Sequence, residues 1–108
     1  MSLFVRINCR GEWVEKKNRF IRHWEDSKKR GADSVGMYVK KNILYDEFFN
    51  LVVQKSGYNC KPQDLFMSYI PHFFHDENVL PFRITVQSSL SVYLGEIENP
   101  SILRVYVE

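Results

Sequence analysis

Cysteine, histidine, glycine and proline are all scarce in this 108-residue chain, with two, three, five and four copies. Each shortage closes off a class of protein. Cys9 and Cys60 lie far apart and in no redox or zinc spacing, which removes a disulfide-stapled fold and leaves two reduced, partly buried thiols as the expectation. His72-Phe-Phe-His75 is a single histidine pair without a cysteine pair at knuckle spacing, so no metal site is expected. Gly31 and Gly36 stand in no phosphate-loop motif and directly precede no helix, which argues against nucleotide binding. His75-Asp76 and the serines Ser68, Ser88, Ser89 and Ser91 offer no nucleophile elbow. Neighbouring side chains of an extended segment also point to opposite faces, so neither an enzyme nor a cofactor is expected, and no small-molecule substrate.

Two further absences concern surroundings. No apolar run approaches the roughly 20 residues that cross a bilayer. The opening Met1-Ser-Leu-Phe-Val-Arg6 lacks a basic region followed by a long apolar stretch. The reading is therefore an intracellular protein, nuclear or cytoplasmic, with no membrane partner. The formal net charge of +2 is too small to imply a polyanion by itself, so the distribution of charge matters more than its sum.

What is present is a core. Hydrophobic residues make up 44% of the chain and aromatic residues 15%, too rich for a disordered segment and the right size for one domain over residues 1–108. Leu3, Val5, Ile7 and Cys9 alternate with Phe4, Arg6 and Asn8, predicting a first strand; Arg10-Gly11 turns the chain into an extended return over Glu12 to Glu15. From about residue 15 to 33 the composition becomes charged, broken by Phe20, Ile21 and Trp24, and reads as a long irregular connection. Ser34 to Lys40 predicts a strand with Val35, Met37 and Val39 on one side. Tyr45 to Ser56 is the best helix. Phe48, Leu51, Val52 and Lys55 form its stripe, Phe49 widens it, Asp46 and Glu47 sit in the first turn, and Gly57 is placed for a left-handed cap.

Asp64 to Ile70 reads as a strand apolar on both faces and ended by Pro71; His72 to Pro81 reads as a loop, and Phe82 to Thr85 as a short strand. Ser88 to Leu94 offers hydroxyls to cap a short helix carrying Leu90, Tyr93 and Leu94. The chain closes on a strand with Leu103, Val105 and Val107 opposite Ile102, Arg104, Tyr106 and Glu108. One amphipathic helix across a mixed sheet of four to five strands satisfies these stripes, giving an α+β two-layer domain. The order of elements resembles the ubiquitin-like β-grasp, in which the first and last strands lie side by side at the sheet centre.

Gly11-Glu-Trp-Val14, Val35-Gly-Met-Tyr-Val39, Ile43-Leu-Tyr-Asp-Glu-Phe48 before a helix, Pro81-Phe-Arg-Ile-Thr85 and Leu90-Ser-Val-Tyr-Leu94 together resemble the amino-terminal domain of plant Mutator-type (MuDR) transposase-like proteins. That domain is related to the Phox/Bem-type interaction domains. The similarity spans nearly the whole chain. It implies a non-enzymatic accessory domain of a transposase-derived or transposase-like protein, without the zinc knuckle or the catalytic carboxylates found elsewhere in such proteins. Phox/Bem-type domains pair a basic first-strand residue with an acidic motif on a partner, so the resemblance implies Arg6 as the basic residue, joined by Lys40 and Lys41. The acidic motif is missing. Only Asp76-Glu77 follow the strand at Asp64 to Ile70, and Val86-Gln-Ser-Ser89 stands where acidic residues would precede the helical turn, which argues against head-to-tail self-assembly.

Two sites follow. Arg6, Lys40 and Lys41, with Trp24 as an anchor, would bind an acidic protein partner. The alternative is a nucleic-acid surface made of Lys16, Lys17, Arg19, Lys28, Lys29 and Arg30 interleaved with Phe20 and Trp24. Glu12, Glu15, Glu25, Asp26 and Asp33 interrupt that field, which favours a solvated loop. Trp13, on an alternating segment, reads as a core or sheet-edge anchor.

Overall fold

The period-two stripes at the two ends of the chain meet at the middle of one sheet. A computed structural model describes residues 2–9, 11–15, 22–26, 33–71, 81–96 and 99–107. Its strands are β1 (Ser2–Cys9), β2 (Gly11–Glu15), β3 (Arg22–Asp26), β4 (Asp33–Lys40), β5 (Leu65–Tyr69), β6 (Phe82–Arg83) and β7 (Leu103–Val107). Helix α1 (Tyr45–Ser56) lies between β4 and β5, and α2 (Gln87–Leu94) between β6 and β7. The five-stranded sheet runs β4-β1-β7-β5-β6. β1 is parallel to β7, pairing Ile7 with Leu103 and Cys9 with Val105, and every other pairing is antiparallel. The fold is α+β, a mixed sheet with two helices.

Alternation decides which side is the core. Val5, Ile7 and Cys9 of β1, Met37 and Val39 of β4, Leu103 and Val105 of β7, and Leu65, Met67 and Tyr69 of β5 are buried on one face. Phe48 and Val52 of α1 and Leu90, Tyr93 and Leu94 of α2 close over them. Each such side chain contributes about 1.5–3 kcal/mol on burial, so this layer dominates stability. The buried stripe of α1 is Phe48, Val52 and Ser56, with Phe49 and Leu51 half-buried and Lys55 exposed. The row spaced by four residues therefore faces the sheet, and Ser56 fits there because its hydroxyl donates to the Val53 carbonyl at 3.2 Å. Gly57 adopts φ 70° and its N–H caps the Val53 carbonyl. A single turn of 3₁₀ helix, Pro62–Asp64, precedes β5.

One expectation is corrected. The stretch read as an irregular connection holds a strand, since β3 pairs antiparallel with β2 and sets Trp24 directly across from Trp13. The charged composition of this segment concealed a strand whose partner lies earlier in the chain. Among the described residues, no helix is long and apolar enough to cross a membrane.

Candidate protein-binding face

The face of the sheet turned away from the helices divides into two halves. On the β5 and β7 half, the β2 strand folds back far enough for the Trp13 indole N–H to donate to Ser68 Oγ at 2.7 Å. Phe66 and Tyr106 stack at 5.6 Å, and the Arg83 guanidinium lies 4.5 Å from the centre of the Phe66 ring. Asn8 is only 8% exposed here. This half is largely covered, and the anchoring role expected of Trp13 is the one it has.

The β1 and β4 half is open. Register places Phe4 opposite Tyr38, Arg6 opposite Gly36, and Ser2 opposite Lys40. Even-numbered residues of both strands share this face, so Arg6, Phe4, Tyr38 and Lys40 lie together on it. Arg6 and Lys40 are four register positions apart, about 13 Å at ~3.3 Å per residue. Between them stands the aromatic pair, ring centroids 5.1 Å apart, with Tyr38 73% exposed. The Phe4 ring lies over Gly36, where a Cβ would come within 2.3 Å of it; the glycine makes room for the ring. None of Ser2, Phe4, Arg6, Ser34, Gly36, Tyr38 and Lys40 is acidic, so among the described residues the open half carries positive charge only. Lys41 is exposed in the turn that follows. β4 is also the sheet's terminal strand; among the described residues, no strand pairs with its outer edge.

The structure thus sets Arg6 and Lys40 on one side of the sheet, either side of the aromatic pair, with Lys41 next to Lys40 in the turn. Trp24 is placed on β3 by its backbone pairing, on the separate two-stranded sheet. Lys16, Lys17, Arg19, Lys28, Lys29 and Arg30, together with His72, His75, Asp76 and Glu77, lie outside the described residues. Sequence reasoning missed Tyr38 and Phe4 as members of the site. The signal was available in the alternation, which puts both on the face of Arg6, but only the strand pairing makes them neighbours.

Other polar clusters do structural work. The Tyr93 hydroxyl donates to the Ser101 carbonyl at 2.6 Å, and the Glu96 carboxylate accepts from the Ser101 N–H at 3.0 Å and from its hydroxyl at 2.9 Å, tying the end of α2 to the start of β7. Cys9 is buried and Cys60 half-buried, and neither is part of a disulfide. Among the described residues, no group of three or more histidine, cysteine or acidic side chains is arranged to hold a metal ion. In comparison with known proteins, the chain matches no family model and no curated protein.

Proposed function

We propose that this chain is a non-enzymatic protein-interaction module with a ubiquitin-like β-grasp frame, part of a transposase-derived or transposase-like plant protein acting inside the cell. The parallel pairing of first and last strands at the sheet centre, with α1 across one face, supports the frame. The short aromatic signatures support the ancestry. The observation that carries the function is the open half of the sheet, where Arg6 and Lys40 flank the exposed Tyr38 with no acidic neighbour on that face among the described residues. An aromatic contact between two cations suits an extended acidic segment, which gains ring contact at its centre and charge complementarity at both ends. The unpaired edge of β4 adds backbone groups that an extended partner can engage.

The test is an amide NMR titration of labelled protein with a short peptide rich in aspartate and glutamate and containing a central apolar residue. Shifts are expected over residues 2–6 and 36–41. The double variant Arg6→Glu, Lys40→Glu should bind at least roughly tenfold more weakly, about 1.4 kcal/mol, with the spectrum otherwise that of a folded protein. Equal binding by the double variant would refute the patch. Shifts confined to residues 16–30 with a DNA duplex at low salt, and none with the peptide, would instead favour the nucleic-acid reading.

A further inference from the structure

At the edge of the sheet opposite β4, the last strand is too short for its neighbour. β6 pairs Phe82 with Tyr69 and Arg83 with Ser68, and one further backbone bond runs from the Ile84 N–H to the Met67 carbonyl. The chain then leaves the sheet for α2. Leu65 and Phe66, at the start of β5, pair with β7 on one side and, among the described residues, with no strand on the other. Successive residues of a strand turn their backbone groups to alternate edges. Because the Met67 carbonyl faces β6, the Met67 N–H and the Leu65 carbonyl face that same edge, while the Leu65 N–H is taken by the Pro62 carbonyl. Among the described residues, neither of the first two has a backbone partner there.

The two sides of this edge differ in chemistry. On the helix side lies a cleft of about 250 Å³, with Tyr45 and Phe49, stacked at 6.0 Å, as its helix wall, Leu65 and Met67 lining it from β5 and Ile84 from the segment after β6. An apolar cavity of about 150 Å³ already holds a benzene ring, so this cleft has room for one leucine or phenylalanine side chain. On the outer side, the exposed Arg83 lays its guanidinium over the Phe66 ring at 4.5 Å, and among the described residues no carboxylate forms an ion pair with it. Cleft and cation are thus separated by the plane of the sheet. An extended chain reaches both, because its alternate side chains point to opposite faces. The Leu65 carbonyl and the Met67 N–H flank Phe66, the spacing at which one residue of a parallel strand, lying opposite Phe66, gives its own N–H to the first and its own carbonyl to the second. Directly opposed residues share a face, so the side chain of that residue falls beside Phe66 and the guanidinium. The residue before it, opposite Leu65, turns its side chain into the cleft.

We propose that the free edge of β5 binds an extended segment of a protein partner, added parallel to β5, in which an apolar residue is followed directly by an acidic one. The apolar side chain enters the cleft, the acidic one meets Arg83 across the sheet, and the backbone of the acidic residue bridges Leu65 and Met67. The site is at the other edge of the sheet from the acidic-partner face and does not rest on it.

The test titrates labelled protein with the capped peptide acetyl-Gly-Phe-Glu-Gly-amide and, separately, with acetyl-Gly-Glu-Phe-Gly-amide, which has the same composition and charge. The first should shift the amides of Phe49, Leu65 to Met67 and Arg83 to Thr85 and saturate at millimolar concentration. The second should bind about tenfold more weakly, since it turns its carboxylate to the apolar cleft and its ring to the guanidinium. Methylating the glutamate nitrogen of the first peptide removes the donor to the Leu65 carbonyl and should also weaken binding about tenfold. Arg83→Met, at an exposed position, should weaken the Phe-Glu peptide about tenfold and leave its Phe-Gln counterpart unchanged. Equal binding of the two sequence orders, or undiminished binding of the methylated peptide or by Arg83→Met, would overturn the proposal. Shifts over residues 2–6 and 36–41 in place of those at β5 would also overturn it, giving the peptide to the β1 and β4 face.

Discussion

Tyr93 shows how a single side chain sets a limit on the conditions the fold tolerates. Its ring is wholly buried between Phe48 and Tyr69, with centroids at 6.4 and 4.6 Å, and its hydroxyl has one partner, the Ser101 carbonyl. Burial, then the charge of Glu96 and the neighbouring Tyr69, push its pKa far above the ordinary 10.0, with Arg6 opposing weakly. The unfolded chain therefore releases this proton near pH 10 while the folded chain keeps it. Stability from Tyr93 is complete below pH 10 and declines as pH rises above it, because there the folded state binds more protons than the unfolded. Tyr93→Phe should cost about 1–2 kcal/mol in urea unfolding at neutral pH through the lost hydrogen bond and the orphaned carbonyl. It should also flatten the loss of stability above pH 10, leaving the smaller slope from Tyr69 and Tyr45, whose pKa values burial also raises. An alkaline slope identical in the variant would show that Tyr93 is not the group responsible.

At the scale of elements, α2 caps the start of α1 in a way no local pattern reveals. Leu44 precedes α1 and offers no side-chain acceptor, yet the Tyr45 N–H is met at 2.6 Å by Gln87 Oε1, while Gln87 Nε2 donates to the Ile43 carbonyl at 3.2 Å. Gln87 is the first residue of α2. Gln87→Leu should lower stability by about 1 kcal/mol, the usual cost of losing a helix cap, and should speed amide exchange in the first turn of α1; unchanged exchange at Tyr45 would refute the shared cap. Within α2 the cap is local, with Ser89 Oγ accepting the N–H groups of Thr85 and Val86 at 2.9 and 3.0 Å. That hydroxyl and the left-handed Gly57 were legible in the sequence because both act within a few residues. So were the strands whose apolar residues alternate. β3 was not legible: Arg22-His-Trp-Glu-Asp26 carries one apolar residue and no alternation, and its pairing with β2 is a register that only the folded sheet supplies. The open face was half legible. Charge singled out Arg6 and Lys40, whereas the contact of Phe4 with Tyr38 and Gly36 depends on a register that only the folded sheet supplies.

For the whole molecule, the two halves of the outer sheet face solve one problem in different ways. A sheet with helices on one side leaves its other side to water or to a partner. Over β5 and β7 the chain supplies the cover itself, anchored by Trp13 on Ser68. Trp13→Phe keeps the ring and removes the donor, so it should cost about 1–2 kcal/mol by leaving the buried Ser68 hydroxyl short of a partner. Calorimetry on the Trp13→Phe and Ser68→Ala single variants and on the double variant should show coupling, and strict additivity would mean that the contact does not hold the cover in place. Over β1 and β4 there is no such cover among the described residues, and the terminal strand shows Tyr38 to solvent. An open edge beside an exposed aromatic invites pairing with a second copy, and charged side chains at the edge are the usual deterrent. Lys40 and Lys41 stand there, so the same cations that suit an acidic partner also set like charge against like when two copies approach. Replacing both by isoleucine removes the repulsion and extends the apolar surface next to Tyr38. Sedimentation of that variant should become concentration-dependent at concentrations where the parent protein's does not. If the variant sediments as the parent does, edge protection is not what these lysines provide.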